Sequence, residues 1–280
     1  MTNGFASRLA GAFAGQGRLC VGIDPHSWLL SEWNLPDSAD GAREFGLRVV
    51  DAAAGLAGIV KPQVAFFERF GSLGFDALER VIRSAREQGI LVIADAKRGD
   101  VGSSVDAYGQ TWLGIGSPLE SDAVTLSPFQ GVGALAGPLA LAEANEKGVF
   151  VLAATSNPEG IAGQQAKLTS GVTLSRSILD DVTTWNKTHA TGPLGNVGVV
   201  LGATLDLAAF DLGTAPVPAP PVLAPGFGHQ GASVSDLRTI YGDLADGVIV
   251  SESRALLAAG PVGIRQAIAT RAEEVRQASA

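Results

Sequence analysis

Four charged residues stand at or near the ends of apolar, strand-like runs. Asp24 follows the run LCVGI, and Lys61 lies within GIVKPQVAFF. Asp95 and Lys97 close the run LVIADAK, and residues i and i+2 of a strand face the same side, so both should project together. A buried ion is stable only beside a partner of opposite charge, so we expect an alternating array. Such an array is seldom kept for stability alone, and it predicts a functional site.

A second set of residues predicts a phosphate site. The turn from Ala224 to Gly231 reads APGFGHQG, and its glycines let backbone N–H groups approach an anion closely. Arg254 follows the last apolar run and can bind phosphate oxygens through two parallel hydrogen bonds. In barrels of eight β/α units, phosphate often binds after strands seven and eight. We therefore expect Pro225, Gly228 and Arg254 to lie beside a phosphate.

Eight short apolar runs supply the strands that must position these residues. The runs are nearly continuous, which is typical of parallel strands covered on both faces. Segments of helical period lie between them, so the chain should form βαβ crossovers and close into a barrel. The predicted strands are Leu19–Asp24, Gly58–Ala65, Leu91–Lys97, Ala123–Ser127, Val149–Thr155, Val197–Ala203, Val222–Pro225 and Gly247–Val250, and the clearest helical patterns are Ala39–Ala57, Phe75–Gln88 and Val101–Leu113.

The predicted fold is therefore α/β, a single (β/α)8 TIM barrel over residues 1–280. An amphipathic lead-in helix is expected around Leu9–Gly15. Active sites of such barrels form at the carboxyl ends of the strands. The segment Leu212–Pro221 precedes a strand and should lie at the opposite, structural face. The segment Pro158–Val172 follows a strand and should form a long loop on the catalytic face, either a moving lid or a static loop.

Composition excludes several classes of protein. A net charge of -8 argues against a nucleic-acid partner. The single cysteine, Cys20, rules out an internal disulfide and fits a reducing cytoplasm. No apolar run reaches the roughly 18 residues that cross a bilayer, and the N-terminal stretch is a poor signal peptide. The histidines are scattered, and no metal-ligand cluster is evident. We expect a cytoplasmic protein without a membrane partner.

The motif ADAKRGD has the pattern Asp-x-Lys-x-x-Asp, formed by Asp95, Lys97 and Asp100, and it resembles that of orotidine 5'-phosphate decarboxylases. The resemblance extends through GIDP, VKPQVAFFE, ATSNP, APGFGHQG and SRALL, and so covers nearly the whole chain. The charge pattern also occurs in sugar-phosphate relatives of this barrel group, but KPQ, TSNP and PGFGHQG resemble the longer branch of the orotidylate enzymes. The resemblance implies decarboxylation of orotidine 5'-monophosphate to uridine 5'-monophosphate, the last step of de novo UMP synthesis, without cofactor or metal.

The resemblance also implies catalytic roles. Lys97 would protonate C6 of the pyrimidine, and Asp95 would lie against the substrate carboxylate. Lys61 would bridge the ribose and the catalytic charges. Asp100 resembles the aspartate that this family contributes to the neighbouring subunit's site, which implies a homodimer.

Binding roles follow from the same resemblance. Asp24 would bind a ribose hydroxyl, and Ser156 the amide edge of the pyrimidine. Gln230 would link the base and the phosphate, and Arg254 would hold the phosphate. The segment SESRALL departs from the Gly-Arg pair of shorter relatives, which leaves the backbone role of Ser253 open.

The roles of three further polar residues and two alternative functions were also considered from the sequence. Asp122 and Thr125 are expected to be structural, and His229 either contacts ligand or, as we favour, packs within its turn. The nearest rival is a Mg2+-dependent sugar-phosphate decarboxylase or aldolase of the same barrel group. The other is a non-catalytic nucleotide-binding barrel, which would have no need for the charged array.

Overall fold

The computed structural model describes residues 4–190, 192 and 194–279. Eight parallel strands close into a barrel in sequence order, with β8 hydrogen-bonded to β1. This confirms the predicted (β/α)8 fold. The strands are β1 Leu19–Ile23, β2 Ile59–Pro62, β3 Leu91–Arg98, β4 Ala123–Leu126, β5 Gly148–Ala154, β6 Val197–Leu201, β7 Val222–Pro225 and β8 Val248–Glu252.

A lead-in helix precedes the strands, and α-helices follow them around the outside, except that the described chain between β6 and β7 holds only the short 3-10 helix Leu207–Phe210. They are α1 Phe5–Gln16, α2 Ser27–Glu32, α3 Ala39–Ala53, α4 Ala65–Glu68, α5 Gly71–Glu87, α6 Gly102–Leu113, α7 Ala136–Ala144, α8 Pro158–Gln164, α9 Leu174–His189, α10 Leu237–Tyr241, α11 Arg254–Leu257 and α12 Gly260–Ser279. Within the ranges described, no helix is long and apolar enough to cross a membrane.

The interior of the barrel is filled at its amino-terminal end. Cys20, Ile59 and Phe150 belong to a small buried cluster that also contains Phe5 and Leu9 of α1. The ring of Phe5 meets that of Phe150 edge to face, with 5.9 Å between centroids. Helix α1 therefore covers the end of the barrel opposite the predicted site, while a larger apolar cluster joins the outer faces of the strands to the helices.

Several predicted boundaries were wrong by a few residues. Strand β2 ends at Pro62, because the chain enters α4 at Ala65, and β8 begins one residue later than predicted and continues to Glu252. The predicted helix Ala39–Ala57 ends earlier, at Ala53. The predicted loop Pro158–Val172 contains α8, which begins with proline at the first helical position, where the missing N–H costs nothing.

Candidate active site

Asp95 lies at the centre of the charged cluster. Its Oδ2 accepts a hydrogen bond from Lys61 Nζ at 2.8 Å, and its Oδ1 lies 2.7 Å from Lys97 Nζ. Lys61 and Asp95 come from the neighbouring strands β2 and β3, and both are buried. The structure thus gathers the three residues within direct contact at the barrel mouth, as the alternating array requires.

Lys97 reaches this position by an irregular backbone. It has φ of 49°, and the register between β3 and β4 shifts between Ala94 and Arg98. A left-handed backbone at a residue other than glycine is uncommon and costs energy, so the surroundings must hold it in place. The prediction that Asp95 and Lys97 converge was therefore right, but regular strand alternation is not the full reason.

Thr125 holds this irregular segment. Its hydroxyl donates to Asp95 Oδ1 at 2.9 Å and accepts from the backbone N–H of Lys97 at 3.0 Å. Thr125 was expected to be structural; it does hold the backbone, and it also contacts Asp95 directly. The available signal was its position in β4, two residues after the inward-facing Ala123, which places its side chain on the inner face.

Gln63 is a second neighbour that sequence reasoning did not single out. Its Nε2 donates to Asp95 Oδ2 at 3.1 Å, and its Oε1 accepts from Lys97 Nζ at 3.5 Å. The side chain therefore touches both members of the predicted pair. Its spacing of two residues from Lys61 was the available signal.

The charges stabilise one another against burial. Burial alone would lower the pKa of Lys61, but Asp95 and Asp24 outweigh it and hold the pKa above its ordinary value. Burial would likewise raise the pKa of Asp95, but Lys61 and Lys97 hold it well below its usual range. Lys61 is therefore an ammonium ion and Asp95 a carboxylate at neutral pH.

Asp24 follows β1 and is held by a residue that follows the neighbouring strand β8. Its Oδ2 accepts a hydrogen bond from the Ser253 hydroxyl at 2.6 Å. A Cβ added to Gly22 would lie 2.6 Å from Cβ of Ser253, so glycine is needed there for the close approach. Oδ1 of Asp24 is buried and has no hydrogen-bond partner among the described residues. This oxygen is a ready acceptor for a ligand hydroxyl.

The charged cluster lines one cavity of about 380 Å3 together with Pro225 and Arg254, two of the three predicted phosphate residues. Pro225 is the last residue of β7, Gln230 lies in the turn after it, and Arg254 follows β8. His229 also lines the cavity, which leaves ligand contact open to it. The lining residues that the sequence had indicated are Asp24, Lys61, Asp95, Lys97, Pro225, His229, Gln230 and Arg254.

Gly228, Ser156, Asp100 and Asp122 do not line this cavity. Gly228 lies in the turn beside it. Ser156 is exposed, and Asp100 accepts a hydrogen bond from the N–H of Val101 at 2.9 Å. Asp122 forms an ion pair with Arg8 of the lead-in helix, in agreement with its expected structural role. No group of three or more His, Cys, Asp or Glu side chains in the described part of the chain is arranged to hold a metal ion.

Known proteins are similar to this chain in sequence and in fold. Residues 17–263 match the orotidine 5'-phosphate decarboxylase / HUMPS family. An orotidine 5'-phosphate decarboxylase of Salinispora arenicola is 49% identical over 257 residues, which cover 92% of this chain and 91% of the relative. One of Corynebacterium efficiens is 48% identical over 279 residues, with 98% of both chains covered.

Solved structures with the same fold lead to the same family. The crystal structure of a Streptomyces avermitilis protein matches with a TM-score of 0.93 and 43% identity, and the match covers 99% of this chain and 96% of that protein's chain. The OMP decarboxylase of Leishmania donovani matches with a TM-score of 0.78 and 30% identity, with 99% of both chains covered. Both the sequence and the barrel thus lead to one assignment: this chain belongs to the orotidine 5'-phosphate decarboxylase / HUMPS family.

Proposed function

We propose that this chain converts orotidine 5'-monophosphate to uridine 5'-monophosphate and CO2 without a cofactor. The observation that carries the proposal is the contact of one carboxylate, Asp95, with two ammonium groups, those of Lys61 and Lys97, at the mouth of the barrel. The names of relatives that are 48% and 49% identical favour this reaction over the sugar-phosphate chemistry of the same barrel group.

Electrostatics supplies the driving force in this proposal. Loss of CO2 leaves a pair of electrons on C6 that the ring π-system does not delocalise. The ammonium group of Lys97 stabilises that charge and then gives C6 a proton, so Lys97 becomes a neutral amine. Because the surrounding groups are already oriented, little reorganisation is needed as charge develops. The Asp95 carboxylate disfavours the bound substrate carboxylate more than the transition state.

The remaining residues would bind the nucleotide. Asp24 presents a buried acceptor to the ribose, and Arg254 and the turn after β7 surround the phosphate. Gln230 lines the same cavity and would join base and phosphate. Ser156 precedes α8, a helix without buried residues, and would reach the pyrimidine when this segment moves toward the cavity. Binding energy from the phosphate would drive that movement.

The assembly we propose is a homodimer in which Asp100 serves the partner's site. Support comes from its position outside the cavity lining and from exposed apolar side chains nearby. Val101 is 54% exposed and Tyr108 of α6 is 37% exposed. Exposed apolar surface of this kind favours a protein–protein contact. We also propose a single catalytic domain over residues 1–280 that acts in the cytoplasm.

A spectrophotometric assay tests the reaction directly. Purified protein is incubated with orotidine 5'-monophosphate, and the ultraviolet absorbance of the orotate ring is followed as it becomes uracil. We expect enzyme-dependent conversion with equimolar release of CO2. A protein that binds the nucleotide tightly but leaves the spectrum unchanged would be a binding barrel, and the proposal would be wrong.

A further inference from the structure

Glu252 is a buried acid that the mechanism above does not use. It is the last residue of β8, is 2% exposed, and stands two residues before Arg254. Neither carboxylate oxygen accepts a hydrogen bond from any residue that the structure describes. A buried carboxylate loses its hydrogen bonds to water. Where no protein donor replaces them, the charged form of the acid is disfavoured.

The carboxylate lies directly against the predicted phosphate turn. A Cβ added to Gly228 would lie 2.9 Å from Oε2 of Glu252, and Gly228 has φ of 67°. Glycine is therefore required there for two reasons, the backbone conformation and the close approach of the acid. A negative charge at this place would repel a phosphate bound in the cavity beside this turn and Arg254.

Charged groups around Glu252 act in opposite directions. Arg271 of α12 lies with Nε 3.3 Å from Oε1 and favours the carboxylate form, but it also pairs with Glu274 at 2.8 Å. Arg254, two residues after Glu252, and His229, the residue after Gly228, line the cavity. Burial outweighs Arg271, and Glu274 adds to burial, so the pKa of Glu252 is raised above its ordinary value.

We propose that Glu252 is a positioning residue of the phosphate subsite that takes up a proton from solvent as the nucleotide phosphate binds. The neutral acid packs against Gly228 without repelling the phosphate, whereas the carboxylate opposes its binding. The affinity for the phosphate therefore falls as pH rises through the titration of Glu252. This inference rests on the phosphate subsite of the proposed function.

The experiment compares two ligands, UMP and uridine, by calorimetry between about pH 5 and pH 8, in buffers of different ionisation enthalpy. The variant Glu252→Gln keeps the shape of the side chain and removes its titration. We expect it to bind UMP up to about tenfold more tightly than the wild type at the alkaline end, and equally at the acid end. Uridine should bind both proteins alike. The proton taken up with UMP should be lost in the variant, after subtraction of the phosphate's own titration.

Two further variants separate this role from simple packing. Glu274 pairs with the same arginine and its charge helps to raise the pKa of Glu252, so in Glu274→Gln the loss of UMP affinity should move to lower pH. Arg271→Gln removes the opposing cation, so the loss of UMP affinity should move to higher pH. That variant tests the inference even if Glu252→Gln folds poorly.

Two different results would overturn the inference, one at Glu252 and one at the phosphate subsite. Identical pH profiles for UMP in the wild type and Glu252→Gln would show that Glu252 does not titrate with phosphate binding. Equal wild-type affinity for UMP and uridine would instead remove the phosphate subsite itself. If the wild type still converts orotidine 5'-monophosphate in that case, the decarboxylase function remains supported.

Discussion

Lys61 of β2 and Asp95 of β3 meet side by side as a buried ion pair, with Nζ 2.8 Å from Oδ2. Such pairs add little net stability, because desolvation of both ions offsets their attraction. The pair is better understood as part of a fixed electric field at the barrel mouth. It holds Asp95 ionised and so fixes the side chain to which Lys97 also binds.

Replacement of the proposed proton donor should abolish turnover. We expect Lys97→Ala to lower kcat by roughly three orders of magnitude or more, about 4 kcal/mol of transition-state stabilisation. UMP binding, measured by calorimetry, should remain measurable because the phosphate and ribose contacts are intact. Lys187→Ala, at an exposed position of α9, is the matched control and should behave as wild type. Substantial residual turnover in Lys97→Ala would rule out its role as donor.

Thr125 offers a test of positioning without a change in charge. Thr125→Val keeps the shape but removes the hydroxyl that joins Asp95 to the backbone of Lys97. A hydrogen bond to a charged group contributes about 1.5–3 kcal/mol, so kcat should fall by roughly tenfold to a hundredfold. KM should change much less, and Thr125→Ser should restore most of the activity. Equal kcat values for Thr125→Val and the wild type would contradict this role.

The shared site can be tested by mixing inactive subunits. Asp100→Ala and Lys97→Ala are each expected to be inactive alone. After equimolar mixing and subunit exchange, half of the dimers are mixed, and each holds one site with both residues intact, so activity should return to about a quarter of wild type. Exchange is verified with differently tagged subunits. A mixture that stays inactive despite verified exchange would exclude a site completed by the partner.

Stability should fall in acid because of Asp95. Since its folded pKa is depressed, its contribution is fully present above the ordinary value of about 3.9 and is lost as pH falls below it. The free energy of unfolding of the wild type, measured by urea titration, should therefore decrease more steeply between about pH 5 and pH 3 than that of Asp95→Asn. Parallel pH profiles for the two proteins would show that Asp95 does not titrate in this way.

Chelation distinguishes the proposed reaction from the magnesium-dependent alternative. We expect the rate of orotidylate decarboxylation to be unchanged after dialysis against EDTA, since the proposed step uses only lysine and aspartate side chains. Addition of Mg2+ should have no effect either. A rate that falls with EDTA and returns with Mg2+ would favour metal-assisted chemistry.

The strands and the charges at their ends were predictable from sequence because parallel strands buried on both faces must be apolar. A charged residue that closes such a run, as Asp24 and Asp95 do, therefore stands out. Thr125 does not stand out, since threonine is common in strands and its partners lie about 30 residues away along the chain. Its role depends on which strand lies next to which.

Loop residues were predicted less well than strand residues. Helix α8 was taken as loop because glycine and glutamine weaken the helical pattern, although Pro158 and Glu159 are typical of a helix start. The role proposed for Ser156 depends on the conformation of this segment, and the role proposed for Asp100 depends on a second subunit. The sequence pattern predicts neither role, because each would depend on contacts with residues that are not neighbours along the chain.

The position of Cys20 inside the barrel has a practical consequence. Burial raises the pKa of its thiol to about 12, so it is neither accessible nor nucleophilic at neutral pH. Because it is the only cysteine in the sequence, a variant such as Ala162→Cys on α8 would carry the sole reactive thiol. A fluorophore attached there would show whether this helix moves as nucleotide binds, with the native cysteine left in place.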